Sequence, residues 1–303
     1  MNNTTHRASL LVSGFLLAGF LLTGSLLIAI ASFNATAENH ESTSSVVPSA
    51  ELEWGYLNPL RGDKSPAATD LWGDRTKNQA TGMLVKFKEG FSSPPHIHNI
   101  TYRGIVVEGL LHNDTPSAEH MWLPSLSFWT QPAGHNHITA ANRKANLIYL
   151  EIDSGPYLVK PPEAEFDTNE RPINVHASNL IWLNENDSEL LKGDGVEIAH
   201  LWQKSDLPDI KGELKGYLVK FAKGKEGHIF TTAKDFKSVI IKGEANYDSK
   251  DTDTAVVLEA GSFFSSKGSF SHNINANEET VLYIRANDTV SILAHSDSTS
   301  ESE

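Results

Sequence analysis

The sequence repeats itself. GMLVKF at 82–87 returns as GYLVKF at 216–221, an offset of 134 residues, and the same offset carries GIVVEG (104–109) onto SVIIKG (238–243). A second block, SFWTQPAGHNHITAAN (127–142), returns as SFFSSKGSFSHNINAN (262–277) at an offset of 135. Two blocks at nearly one offset make the chain a tandem pair of like units, each of about 120 residues and large enough to close its own core. Trp54 and Trp72 pair with Trp182 and Trp202, although their spacing drifts by several residues.

Within each copy, short apolar or alternating runs such as MLVKF, GIVVEGLL, NLIYLEID, KSVIIKG and TVLYIRA are punctuated by Gly, Pro, Asn and Asp. Few stretches have helical period, so these are strand signals. Short strands spaced by turns predict a sandwich or barrel, in which closure removes exposed edges. The expected fold class is all-β, with two barrels in tandem, and 39% hydrophobic residues supply the cores. The expected divisions are 1–37 as a signal peptide or membrane anchor, 38–50 as a polar linker, 51–165 as barrel 1, 166–295 as barrel 2 and 296–303 as an acidic tail.

The first division rests on Leu10–Ala31, an apolar run broken only by Gly, Ser and Thr, followed by Ala35-Thr36-Ala37. That pattern matches a secretory signal cleaved after Ala37; the run is also long enough to serve as an uncleaved anchor. Either way the barrels are expected outside the cytoplasm, periplasmic or secreted, with membrane contact only through this segment.

Charge and cysteine usage exclude whole classes of function. With 38 acidic against 25 basic residues, and the basic ones scattered, the chain lacks the footprint of a nucleic-acid binder. The absence of cysteine excludes disulfides, thiolate metal sites and cysteine nucleophiles, so any metal must be held by His or oxygen ligands. The 13 histidines therefore come first.

Three of them fall in a metal-binding pattern. Gly90-Phe-Ser-Ser-Pro-Pro-His96-Ile-His98 runs into a strand, and Pro132-Ala-Gly134-His135-Asn-His137 follows. Alternate residues of a strand face one side, so His96 and His98 point together into a barrel, and the Pro-x-Gly turn aims His137 at them. Three neutral imidazoles with open positions suit Zn, Fe, Mn, Ni or Cu.

These motifs resemble the cupin superfamily, whose pattern is Gly, five residues, His-x-His, three or four residues, Glu, then Gly, with Pro-x-Gly-x-x-His as its second part. Gly90, His96, His98, Gly109, Pro132, Gly134 and His137 match it. LWGDR (71–75), FSSPPHIHNITYRG (91–104), MWLPSLSFWTQPAG (121–134) and ERPINV (170–175) are similar to a bacterial two-domain cupin (bicupin) family of unknown function. The resemblance implies two double-stranded β-helix, jelly-roll-like barrels, a divalent transition metal in the first, and a homodimer. It implies no particular reaction.

One position departs from the pattern. The cupin glutamate should fall at 102 or 103, where this chain has Tyr102 and Arg103. Tyr102 keeps the strand parity of His98, which makes it a candidate phenolate ligand or proton donor, and an ordinary pKa of about 10 favours the neutral hydroxyl. His135 shares parity with His137 and is a candidate fourth ligand or catalytic group. Arg103, Glu108, His112 and Glu151 are candidates to orient the ligand imidazoles from behind, or plain strand-face residues. Phe87, Trp122, Phe128 and Trp129 are candidates for pocket wall or core. The sequons at Asn99 and Asn113 carry no weight.

The second copy acts as an internal control. At the constant offset His96 maps to Phe230, His98 to Thr232 and Tyr102 to Phe236, and only His137 keeps a counterpart, His272. His228 is a poor substitute, so barrel 2 is expected to be structural. The leading function is a metal-dependent enzyme of dioxygenase, isomerase or lyase type acting on a small oxygen-rich molecule. The alternatives are a non-catalytic protein that binds or senses a metal or small ligand, and a structural protein with no occupied site.

Overall fold

The computed structural model describes residues 44–205 and 212–295, so the expected signal or anchor segment and the acidic tail lie outside the described residues. Strand alternation explains why the longest runs are almost wholly apolar. In Thr81–Phe87, Met83, Val85 and Phe87 face the interior of the first barrel, whereas Leu84 faces the second barrel. In Tyr102–Glu108, Val106 faces inward, and Ile105 and Val107 face the second barrel. Both faces of these strands are buried, so neither face needs polar residues.

Each half of the molecule is a pair of facing sheets. The first barrel's large sheet runs, antiparallel throughout, in the order Ile173–Val175, Phe128–Gln131, Tyr102–Glu108, Asn146–Ile152, Thr81–Phe87, Ala67–Trp72 and Gly55–Tyr56. It is closed by Ile138–Ala141, Leu110–Asp114 and Leu123–Pro124, and by the short pair Ile97–His98 with Val159–Lys160. The second barrel packs a six-stranded sheet from Ser44–Val47 to Val196–Lys204 against another six-stranded sheet that includes Glu226–Thr231 and Phe270–Ala276. These are two double-stranded β-helices in tandem.

The expected divisions shift in one respect. Ser44–Val47, inside the stretch expected to be a polar linker, pairs with Phe263–Ser266 of the second barrel. Ile173–Val175, expected in the second barrel, pairs reciprocally with Phe128–Gln131 of the first. Each copy thus sends its leading strand to cover the edge of the other copy's sheet, which removes two open edges. The exchange is repeated in detail: Ser49 N donates to Ser262 Oγ at 2.9 Å, and Ala177 N donates to Ser127 Oγ at 3.0 Å.

The weak tryptophan correspondence is structural. Trp72 Nε1 donates to Tyr149 Oη at 3.3 Å, and Trp202 Nε1 donates to Tyr283 Oη at 3.0 Å. Each of these indoles follows a bulge, at Asp70/Trp72 and at His200/Trp202, and pairs with the matching Gly82 or Gly216, so most of the spacing drift lies in the four extra residues between Trp202 and Gly216. Lys86 lies 3.7 Å from the Trp54 ring and Lys220 lies 4.4 Å from the Trp182 ring, which pairs those indoles too.

Between the large sheets, Leu84, Ile105, Phe128 and Tyr149 pack with Leu218, Val239, Phe263 and Tyr283. A charged cluster is buried in this seam. Glu151 accepts from Arg103 Nε at 3.0 Å, Tyr149 Oη at 3.0 Å and Tyr283 Oη at 2.9 Å, and Arg285 Nε lies 3.9 Å from it. Arg103 also binds Asp153, and its guanidinium lies 3.8 Å from the Trp202 ring. Burial raises the pKa of Asp153, but Arg103, Arg285 and Lys204 outweigh it and hold the carboxyl well below its usual range. Arg103 and Glu151 therefore serve the contact between barrels and do not stand behind the histidines.

Candidate metal centre

His96 and His98 lie at alternate positions on one short stretch, and His137 faces them from the next strand. His96 and His137 form an antiparallel bridge, with N···O distances of 3.0 Å in both directions. One ligating atom from each of the three rings lies within 4.8 Å of the other two, and this is the only such group of three or more His or carboxylate residues among the described residues. His98 and His137 are buried, and His96 is the most accessible at 9%.

The backbone fixes two of the three tautomers. His96 Nδ1 lies 2.9 Å from the Pro94 carbonyl, and His137 Nδ1 lies 2.9 Å from the His135 carbonyl. A carbonyl only accepts, so each Nδ1 carries the proton and each Nε2 presents a lone pair. His98 stacks on Tyr157, whose hydroxyl is 3.2 Å from His98 Nε2, and its buried Nδ1 has no hydrogen-bond partner. Burial lowers the pKa of His96; burial and the other two rings lower that of His98 further; burial and His96 push His137 down to about 3. Three neutral nitrogen donors, two with locked lone pairs and one with an orphaned nitrogen, fit a divalent transition metal.

Tyr102 occupies the position of the missing glutamate. Its hydroxyl lies 3.2 Å from His137 Nε2 and donates to Asn113 Oδ1 at 3.1 Å. Burial raises the phenol pKa, so Tyr102 is a neutral hydroxyl beside the imidazoles and the phenolate form is disfavoured. Asn113 also accepts from Thr139 and donates to Gln131 Oε1 at 2.9 Å, which holds the amide in one orientation. A buried residue so engaged is no glycosylation acceptor.

His135 does not join the group. The Pro132-Ala133-Gly134 turn breaks the strand parity, and the ring faces a separate cleft beside Phe166 and Asp167. Its contribution to the site is its carbonyl, which orients His137. Glu108 is exposed, and His112 packs against His120 and Trp122 outside the barrel, so neither stands behind a ligand. Of the candidate aromatics, Phe87 and Trp129 line the cavity over the histidines, Phe128 packs between the barrels, and Trp122 is outside. Tyr157, Asn113 and Thr139 went unnoticed as site residues in the sequence. Asn113 falls in a sequon and Thr139 in the repeated block 127–142, and neither pattern points to a ligand site.

The second barrel corrects the constant-offset alignment by one residue. Opposite His272 stands Ile229, fully buried, while Phe230 is 45% exposed on the outer face. The counterparts of His96 and His98 are thus Ile229 and Thr231, because a one-residue shift between the repeated blocks reverses which face a residue takes. His228 lies on the outer face with Asn273 and His295. His272 itself is packed against Phe236, Phe264 and Phe270, with Nδ1 2.8 Å from Tyr247 Oη and Nε2 3.0 Å from Ser266 Oγ.

This architecture, with its His-x-His strand and third histidine, is the cupin fold. The chain is similar in structure to a candidate dioxygenase from Nostoc punctiforme (14% identity, TM-score 0.59, covering 84% of this chain and 87% of that one). It is also similar to vicilin from hazelnut, Corylus avellana (11%, TM-score 0.52, 82% and 87%), and to oxalate decarboxylase from Lactobacillus farciminis (10%, TM-score 0.51, 82% and 87%). At these identities the likeness shows the fold alone. Residues 45–293 match the family described as a domain of unknown function, DUF4437, and the chain belongs to that family. No curated protein matches the sequence.

Proposed function

We propose that the protein is an exported, metal-dependent enzyme acting on a small molecule in the first barrel. The observation that carries this reading is the convergence of three neutral imidazoles, two of them held in one tautomer by the backbone, beside a cavity of about 440 Å³ that His96 and His98 line. His96, His98 and His137 would hold a divalent Zn, Fe, Mn, Ni or Cu ion. Such an ion supplies Lewis-acid polarisation of a ligand oxygen or, for a redox metal, electron transfer to and from O₂.

The chain's own residues do the rest. Tyr102 presents a hydroxyl to an oxygen placed beside His137, and its bond to Asn113 fixes that hydroxyl in place. Tyr157 stacks on His98 and sets its ring plane. Val85, Phe87, Ile148 and Leu150 wall the cavity with carbon. Among the described residues no carboxylate lines the cavity. Isomerase or lyase steps that need a protein base therefore fit it least, and oxygenase chemistry fits it best. The same lack of a base favours, as a second reading, binding or sensing without turnover. Export rests on the apolar segment Leu10–Ala31 and the small-residue pattern ending at Ala37.

Metal content per chain tests the reading, measured by plasma mass spectrometry on protein purified without chelators, beside the His96→Ala/His98→Ala variant. About one equivalent of a transition metal, lost in a variant that stays folded, is expected. Metal-free protein even after reconstitution would sink it. N-terminal sequencing of the mature protein checks export, with Glu38 expected as the first residue.

A further inference from the structure

The cavity over the three histidines has one charged side chain. Its floor is made of neutral groups, the imidazoles and the Tyr102 hydroxyl, and its walls are the carbon of Val85, Phe87, Phe91 and Leu150. Arg61 alone among its lining residues bears a charge. Its guanidinium makes no ion pair or hydrogen bond with the described residues, whereas Arg75, Arg103 and Arg285 are all paired with carboxylates.

The loop that carries Arg61 is built to hold it in place. Asn58 caps the short helix Pro59–Lys64 by accepting from Leu60 N at 3.0 Å, and Asn58 N donates to Ser65 Oγ at 2.9 Å. Arg61 N donates to Asn58 O at 3.0 Å, and Lys88 Nζ donates to Asp63 O at 2.8 Å. Gly62, at φ +53°, turns the chain directly after the arginine in a conformation that side chains rarely adopt.

From this we infer that the cavity takes a small monocarboxylic acid with an apolar body. Its carboxylate pairs with Arg61 at the mouth, its body lies against the carbon walls, and its far end reaches the imidazole floor. A guanidinium offers a carboxylate paired, charge-assisted hydrogen bonds. An apolar body gains by leaving water for such walls. In metal-free protein a second carboxylate on the ligand would find no second cation among the described lining residues and would be buried unpaired. The inference rests on the proposed function only in taking this cavity as the substrate site; the pairing with Arg61 needs no metal.

Isothermal titration of benzoate and hexanoate into metal-free protein tests it, with benzamide as the uncharged control and with the Arg61→Ala and Arg61→Lys variants. Arg61 lies on an exposed loop, so both variants should fold. At least one of the two acids should bind wild-type protein at least tenfold more tightly than Arg61→Ala, with Arg61→Lys between them and benzamide indifferent to all three. Equal acid affinity in wild type and Arg61→Ala, or no binding of either acid, would overturn the inference. The metal assay is read separately. Arg61-dependent binding by a protein that takes up no metal keeps this inference and removes the enzyme reading. Metal uptake without Arg61 dependence does the reverse.

Discussion

The two barrels descend from one pattern and have come to opposite interiors. In the first, Tyr102, Asn113 and Thr139 stand around His137 and leave space above three histidines. In the second, the corresponding Phe236, Tyr247 and Ile274 close around His272, with Phe264 in the place of Trp129. Filling a barrel with aromatic and β-branched carbon gives packing, and leaving it open gives a site. The pair also shows what the shared scaffold requires, because the exchanged leading strands, the Trp–Tyr hydrogen bonds and the lysine–tryptophan contacts occur in both copies.

The largest expected effect lies where the copies meet. Glu151 and Arg285 occupy the same place in the two repeats with opposite charge, and both are buried in the seam. Glu151→Gln should cost about 3–5 kcal/mol, because it removes the more deeply buried of the two carboxylates that Arg103 and Arg285 share and leaves only Asp153 between them. Urea unfolding checks this, and a loss below about 1 kcal/mol would mean that water reaches the cluster.

The hollow and filled interiors separate next. Phe87 lines the cavity of the first barrel, and its counterpart Phe221 is enclosed in the core of the second. Phe221→Ala should cost about 3–5 kcal/mol, whereas Phe87→Ala, which enlarges an existing space, should cost about 2 kcal/mol less. Equal losses would show that the first cavity collapses in solution. A third pair should show no such difference. A Cβ at Gly82 would lie 2.1 Å from Trp72 Nε1, and one at Gly216 would lie 2.0 Å from Trp202 Nε1. Gly82→Ala and Gly216→Ala should each cost about 1–3 kcal/mol and agree closely with each other. A wide gap between them would mean that the two indole contacts are not equivalent.

The sequence made these comparisons possible because repeats and strand parity are local signals. MLVKF and GIVVEG announce buried strands through their own residues, and the spacing of His96, His98 and His137 announces a group of histidines able to hold a metal. What escaped depends on the third dimension. Tyr157 reaches His98 only because Val159–Lys160 pairs with Ile97–His98, and no motif marks that pairing. Asn113 orients Tyr102 from the facing sheet, and Arg61 enters the cavity from a loop ahead of the repeat's first long strand. His135 misled by obeying strand parity inside a turn, and Phe230 misled because a constant offset ignores a one-residue slip.

His272 offers the cleanest contrast, because it is the one histidine the second barrel retained from the metal pattern. Burial among Phe236, Phe264 and Phe270 pushes its pKa down to about 3, against about 6.5 in an unfolded chain. The folded state holds the neutral ring and the unfolded state takes up the proton first. The stability contributed by keeping the ring neutral is therefore complete above about pH 6.5 and is lost as pH falls toward 3, by about 1.4 kcal/mol per unit. His272→Gln keeps hydrogen-bonding groups for Tyr247 and Ser266 and removes the titration. The wild type's advantage over this variant should therefore shrink steadily between pH 6.5 and 4.5 in urea unfolding. Parallel profiles would mean that His272 can bind a proton within the fold, and the second barrel would then be open to water in a way its packing denies.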